Sequence, residues 1–290
     1  SRMMAVFSAS MIKDLRDRTG LGMMECKRAL AESEGDIDKA IDDLRKSSGI
    51  KAAKKAGRIA ADGIVAVKLS KDNTYGVMIE VNTETDFAAR DDAFLKFVAT
   101  SLSTAFDAKK LCFDEFVVDM DVARQALVQK IGENINIRRV ETIRSPVIGT
   151  YVHSNSRIGV LVALSGGSIE LAKDVAMHVA ASNPQVVKPE DMPDSLVQKE
   201  KDIFIAQARE SGKSEEIIEK MITGRINKFL SESSLINQPF VKNPEITINK
   251  LIEHSGAEVI SFHRFEVGEG IEKIEVDFAT EVAAQLSAAT

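Results

Sequence analysis

Apolar positions recur along this chain with two periods, and the places where the period changes divide it. Between residues 10 and 48 the spacing is helical. Leu15 marks a pattern over 11–18, with Ser10 as the expected N-cap and Gly20 as the stop. Met24, Ala29 and Leu30 mark a second pattern over 23–32, ended by Gly35. Asp36 caps a third, in which Ile37, Ala40, Ile41 and Leu44 form the stripe. The run Lys51-Ala52-Ala53-Lys54-Lys55 continues it as a basic helical linker.

The period then drops toward two. Residues 63–69 and 76–81 read as strands, and 93–103 as a helix. The same order returns later, with strands at 149–153 and 159–164 and a helix at 170–181. Tyr75-Gly76-Val77 aligns with Ile158-Gly159-Val160, so the chain repeats a strand, strand, helix unit. A helix at 122–131 lies between the copies. The second copy is interrupted by two helical patterns around Ser211-Gly212-Lys213-Ser214. The later pattern puts Ile217, Ile218, Met221, Ile222, Ile226, Phe229 and Leu230 on one stripe, as in an antiparallel helical hairpin. Strand character returns over 258–267, and a last helix is expected over 276–286.

These patterns predict an α+β fold with two related lobes built on antiparallel sheets. The expected divisions are a three-helix module and linker at 10–57, a first lobe at 58–145, and a second at 146–193 plus 234–270. The helical hairpin is the insertion at 194–233, and a C-terminal module covers 271–290.

Composition narrows the function. The 290 residues are 44% hydrophobic and 28% charged, which suits a soluble globular protein of more than one domain. With 5% aromatics and no Trp, aliphatic residues carry the packing. A net charge of −6 argues against a general nucleic-acid surface. Cys26 and Cys112, far apart, make no disulfide framework and suit a reducing cytoplasm. No apolar run approaches the roughly 18–20 residues that span a membrane. Ser1-Arg2 ahead of Met3 reads as a cloning scar.

Catalytic signatures are missing. Gly268-Glu269-Gly270 is a fragment of a dinucleotide motif without its strand–helix setting, and no direct nucleotide site is expected. His153, His178, His254 and His263 lack the spacing of a metal site, so neither metal nor cofactor is expected. No serine has nucleophile-elbow flanks, and Cys26 reads as a small buried helix residue. Acids such as Glu133 and Glu141 read as solvated surface, and 131–139 reads as a helix stop at Gly132 followed by a strand.

One segment stands apart. Residues 82–89 follow a strand pattern and precede a helix, yet this polar connection carries Thr85-Asp86-Phe87. Asp86 can cap the following turn with Phe87 packed beneath it, or Phe87 can face outward as a wedge for a partner. Composition leaves both open.

The blocks Leu15-Arg16-Asp17-Arg18-Thr19-Gly20, Met23-Met24-Glu25-Cys26-Lys27, Ala52-Ala53-Lys54-Lys55-Ala56-Gly57 and Thr85-Asp86-Phe87 resemble the bacterial translation elongation factor Ts family. Residues 131–139, 157–162 and 265–273 extend the resemblance, in the family's order, over nearly all of 10–284. It implies a non-enzymatic guanine-nucleotide exchange factor in the cytoplasm whose partner is the GTPase elongation factor Tu. It also implies that the N-terminal module is of the ubiquitin-associated type. Asp86 and Phe87, with Thr85 before them, match the family's wedge, which disturbs the Mg²⁺ and phosphate contacts of the GTPase. Further partner contacts fall by resemblance on Lys13, Met23, Met24, Lys27 and Lys55, on Ile131 and Gly132, on His153, and on Val241. The chain departs from the family where Thr83-Glu84 replaces a common Cys and Gln, at Ala88 for Val, and at Lys242 for an apolar residue. A ubiquitin adaptor and an enzyme with an unrecognised cofactor are the competing classes, and neither accounts for the order of the blocks.

Overall fold

The structure is a computed structural model that describes residues 8–271, 282, 283 and 285–287. Most of the helix expected over 276–286, and most of the module 271–290, lies outside the described residues.

Three helices open the chain, α1 (Ala9–Thr19), α2 (Met23–Glu32) and α3 (Ile37–Lys55). Ser8, not Ser10, caps α1, its side chain accepting from the Met11 N–H. Gly20, at φ 71°, closes that helix in the left-handed region that glycine adopts without penalty. Leu15, Leu21, Cys26, Leu30, Ala40 and Leu44 form a small core of their own. The run 51–55 continues α3 as its C-terminal end. Ala52 is buried in the core of the next lobe, which seats the module on the rest of the protein.

The first sheet is antiparallel, with β1 (Asp62–Leu69) and β2 (Tyr75–Thr83) joined as a hairpin. A single turn, α4 (Asp86–Ala89), precedes α5 (Asp92–Asp107) and α6 (Phe113–Ile131). Then β3 (Asn136–Arg144) returns to the far side of β2. The helix expected over 122–131 thus begins nine residues earlier in sequence number, at Phe113 (122 − 113 = 9). Its first half broke the apolar period because Val118 is 72% exposed while Phe116 and Met120 point inward.

The second sheet repeats the plan. It consists of β4 (Val147–Val152) and β5 (Ile158–Leu164), with α7 (Ile169–Ser182) on its outer face. Between α7 and the third strand lie α8 (Asp194–Glu210), α9 (Glu215–Ser233), the short hairpin β6 (Pro239–Phe240) and β7 (Asn243–Thr247), and α10 (Ile248–Glu253). The third strand, β8 (Val259–Glu266), pairs with β5 as β3 pairs with β2. Ala208, Ile218 and Ile222, with Ile205 and Ile226 beside them, make the seam between α8 and α9.

The two sheets lie face to face. Every residue of β2 is buried, because both of its faces are covered. Tyr75, Val77, Ile79 and Val81 point toward α5 and α6. Met78, on the opposite face, meets Val65, Ile148, Leu161 and Phe265 in a core shared by both sheets. Val160, Val162 and Leu164 point the other way, toward α7. The layers therefore run helices, sheet, sheet, helix. Two glycines permit the close approaches. A Cβ on Gly149 would lie 2.2 Å from the backbone of Ala172, and one on Gly159 2.5 Å from Val65 Cγ1.

A buried acid binds the layers. Glu80, fully buried on β2, meets Arg138 and Arg139 of β3 and accepts from the Gly268 N–H and the Asn82 amide. Burial alone would raise its pKa. The hydrogen bonds from Gly268, Asn82 and Arg139, with the Arg139 charge, outweigh that and hold it below the ordinary carboxylate value. Arg157, at the end of the β4–β5 turn, pairs with Asp62 on β1 at 2.7 Å, a second tie between the sheets. Among the described residues, no helix is long and apolar enough to cross a membrane.

Candidate partner-binding site

The segment 82–89 leaves β2 and turns at once into α4. Thr85 is the cap, its hydroxyl accepting from the Ala88 N–H at 3.2 Å, while Asp91 caps α5. Asp86 therefore caps nothing. Ala88 and Ala89 face inward and are buried, whereas Phe87 is 77% exposed. Phe87 does not pack beneath the turn, so the inward-facing alternative is not the one the chain adopts. Arg90 holds the outer side of the turn. Its guanidinium lies 5.5 Å from the Phe87 ring centroid and 3.2 Å from Asp86 Oδ2.

The inner side is held from afar. Glu133, just past the αL glycine Gly132 that ends α6, turns its carboxylate toward the segment 83–85. Its Oε1 accepts from the Glu84 N–H at 3.0 Å, the Thr85 N–H at 2.8 Å and the Thr83 hydroxyl at 3.2 Å. Its Oε2 accepts from the Thr85 hydroxyl at 2.7 Å. Glu84 answers in the other direction. Its carboxylate accepts from the Asn134 N–H at 2.8 Å and pairs with Arg58 at 2.7 Å. The Asn134 amide then donates to the Arg58 carbonyl at 2.7 Å. The turn bearing Phe87, the end of α6 and the segment after α3 are thereby joined in one polar knot.

Beside α4 is an open cleft of about 820 Å³. Asp86, Ala89 and Arg90 form one wall, and the β4–β5 turn Ser154-Asn155-Ser156-Arg157 forms another. That turn is fixed to β1 by the Val65 N–H, which donates to the Ser156 carbonyl at 2.8 Å. His153, which leads into it, is exposed, with its Nδ1 3.0 Å from the Tyr151 hydroxyl.

The remaining candidates lie at several points. Lys13 on α1 and Met23, Met24 and Lys27 on α2 are exposed, Met24 to 73%. Lys55, Ile131 and Gly132 are half-buried at the helix ends that meet the knot. Val241 sits on the β6–β7 turn, where its N–H donates to Nδ1 of buried His178 at 3.2 Å. His178 Nε2 correspondingly donates to Gln238 Oε1 at 2.9 Å, so the ring is the neutral tautomer protonated on Nε2. Burial pushes the His178 pKa down, against the smaller upward pull of Gln238. Lys242 pairs with Asp174 at 2.6 Å, which accounts for a cation at that position. Among the described residues, no group of three or more His, Cys, Asp or Glu side chains is gathered as a metal ion would need.

Glu133, Glu84, Arg58 and Arg90 were not singled out as site residues by sequence. The one sequence signal for Glu133 is its place directly after a helix-ending glycine, where an acid can turn back toward the end of β2.

The profile of the family described as Elongation factor TS matches residues 84–269, more than half of the chain. Elongation factor Ts of Hahella chejuensis is 61% identical over 284 residues, covering 98% of this chain and 99% of the relative. That of Teredinibacter turnerae is 63% identical over 287 residues, with 97% of each covered. That of Pseudomonas aeruginosa is 56% identical over 287 residues, covering 98% of this chain and 99% of the relative.

Proposed function

The chain belongs to the elongation factor Ts family, and from that premise we propose that it binds elongation factor Tu and promotes release of its GDP. It does so without chemistry of its own, by pressing Asp86 and Phe87 against the Mg²⁺ and phosphate side of the GTPase. The observation that carries this reading is a large ring, 77% exposed, on a turn whose preceding backbone is held by hydrogen bonds to Glu133. An exposed aromatic costs solubility and gains nothing for the fold, and a braced one loses little entropy on docking.

The energetics are those of coupled binding. Mg²⁺ bridges the nucleotide phosphates and the GTPase loops, so displacing that site weakens GDP. Linkage is reciprocal, and GDP must weaken the factor by the same ratio. A thousandfold change in either affinity needs about 4 kcal/mol of coupling. A desolvated aromatic anchor supplies about 2 kcal/mol of that. The rest is assigned to contacts at Lys13, Met23, Met24, Lys27, Lys55, Ile131, Gly132, His153 and Val241, all exposed or half-buried. Their spread over both ends of the molecule suits a grip at several points that strains one loop.

The test is stopped-flow release of fluorescent GDP from elongation factor Tu. The wild-type chain is expected to accelerate release, and Phe87→Ala is expected to lose most of that acceleration while melting normally. Unchanged exchange by Phe87→Ala would remove the wedge role. A variant that unfolds would instead make Phe87 a packing residue.

A further inference from the structure

A turn of four residues cannot hold its own shape, because nucleating one helical turn costs more than its single hydrogen bond returns. The backbone donors around it must also find acceptors. Just before α4, donors of the approach segment are met by one carboxylate from a distant part of the chain. Glu133 takes the Glu84 and Thr85 N–H groups and both threonine hydroxyls. The Thr85 hydroxyl donates to Glu133 and accepts from the Ala88 N–H. A continuous line of hydrogen bonds thus runs from Glu133 through Thr85 to Ala88, and Phe87 stands between the last two. The ring has no core contact of its own to set its direction.

Resting on the exchange reading given above, we propose that Glu133 is a positioning residue for the wedge. Its carboxylate fixes the direction in which Phe87 projects and ties that direction to the end of α6. Charge makes the brace stiff, since hydrogen bonds to a carboxylate are shorter and stronger than neutral ones. The crossed contact of Glu84 with the Asn134 N–H and Arg58 makes the tie reciprocal. A displacement of α6 or of the segment after α3 is thereby passed to Phe87. Ile131 and Gly132, assigned above to the partner interface, lie directly before Glu133, so seating that helix end and driving in the ring become one event. Thr83 and Glu84, where the chain departs from its family's common residues, both belong to this knot.

The experiment is a double-mutant cycle read by GDP release from elongation factor Tu. Glu133→Ala is expected to slow release roughly tenfold. In the Phe87→Ala background the same change should cost less than about twofold, because its effect passes through the ring. Glu133→Gln keeps the Oε1 acceptor and can donate to Thr85, and it should recover most of the rate. Amide hydrogen exchange supplies a readout free of the partner. Protection at Glu84, Thr85 and Ala88 should fall in Glu133→Ala while the middle of β2 stays protected. Wild-type release by Glu133→Ala, or an equal loss in both backgrounds, overturns the proposal. If the wild-type chain itself does not accelerate release, the exchange reading fails first. The amide arm then decides the brace alone, and unchanged protection at 84–88 sinks it.

Discussion

The connection from β2 to α5 and the connection from β5 to α7 occupy the same place in two repeats of one plan. Each joins the central strand of a three-stranded antiparallel sheet to the helix on its outer face. The second is only Ser165-Gly166-Gly167-Ser168, with Ser168 capping α7 and Ser165 tied to Glu258 of the segment before β8. The first adds a helical turn, an exposed ring and an acid, and is fastened by a residue fifty positions along (133 − 83 = 50). Since the shorter connection completes the same fold, the extra turn is not required for folding. What it adds is a rigid apolar projection. The later connections differ as well. Between the outer helix and the third strand the first repeat places α6, and the second places the hairpin α8–α9 and the turn bearing Val241.

The largest expected effect breaks what the repeats share. Glu80→Ala removes the acid that holds Arg138, Arg139 and the Gly268 N–H, and it should cost about 3 kcal/mol of stability in urea unfolding. The pH sign follows from the lowered Glu80 pKa. Its contribution is complete above the ordinary carboxylate value of 4.5 and disappears as pH falls below that toward the lowered value. Acid unfolding of Glu80→Ala should accordingly be shallower than that of the wild type.

The next effect separates the repeats. Phe87→Ala should slow GDP release about thirtyfold, the equivalent of about 2 kcal/mol, with a melting curve like that of the wild type. Gly166→Phe places a ring on the second connection, where a Cβ meets nothing within 4 Å and folding should tolerate it. Adding Gly166→Phe to Phe87→Ala should not restore release. Recovery in the double variant would show that an exposed ring anywhere on this edge suffices, and that the brace on α4 is irrelevant.

A smaller effect belongs to the second repeat alone. Neutral His178 accepts from the Val241 N–H, and a proton on Nδ1 would end that bond. The His178 pKa is lowered, so its stabilisation is complete above about 6.5 and is lost as pH falls below that. Between pH 7 and 5, wild-type stability should fall more steeply than that of His178→Gln, measured by thermal unfolding across pH. Equal slopes would remove His178 as the group responsible. The smallest effect is at Arg90, an exposed pair with Asp86. Arg90→Ala should change stability by less than about 0.5 kcal/mol and GDP release by less than about threefold. A larger loss of exchange would move part of the positioning from Glu133 to Arg90.

Much of this was legible in the residues. Ile37, Ala40, Ile41 and Leu44 announced α3, because a single buried stripe imposes the helical period. The repeat was legible because β2 and β5 each lie at the centre of a sheet covered on both faces, which forces apolar runs beginning with Gly76-Val77 and Gly159-Val160. The start of α6 was not, since Phe113 and Val118 are partly exposed and blur the stripe. Nor was α4, which is too short to show a period at all.

The sequence by itself determined the order of the longer helices and strands, the two repeats, the helical hairpin and the aromatic residue Phe87 in a polar connection. Those follow from local spacing, where neighbours in the chain decide which faces are buried. Only the tertiary structure decided that Phe87 points outward, that Glu133 gathers four donors at Thr83–Thr85 and is not free surface charge, and that Glu80 is a buried lock. Each of those depends on partners 48 to 188 residues apart. A carboxylate reads the same in sequence whether water or four donors will surround it, and only the folded chain brings the donors.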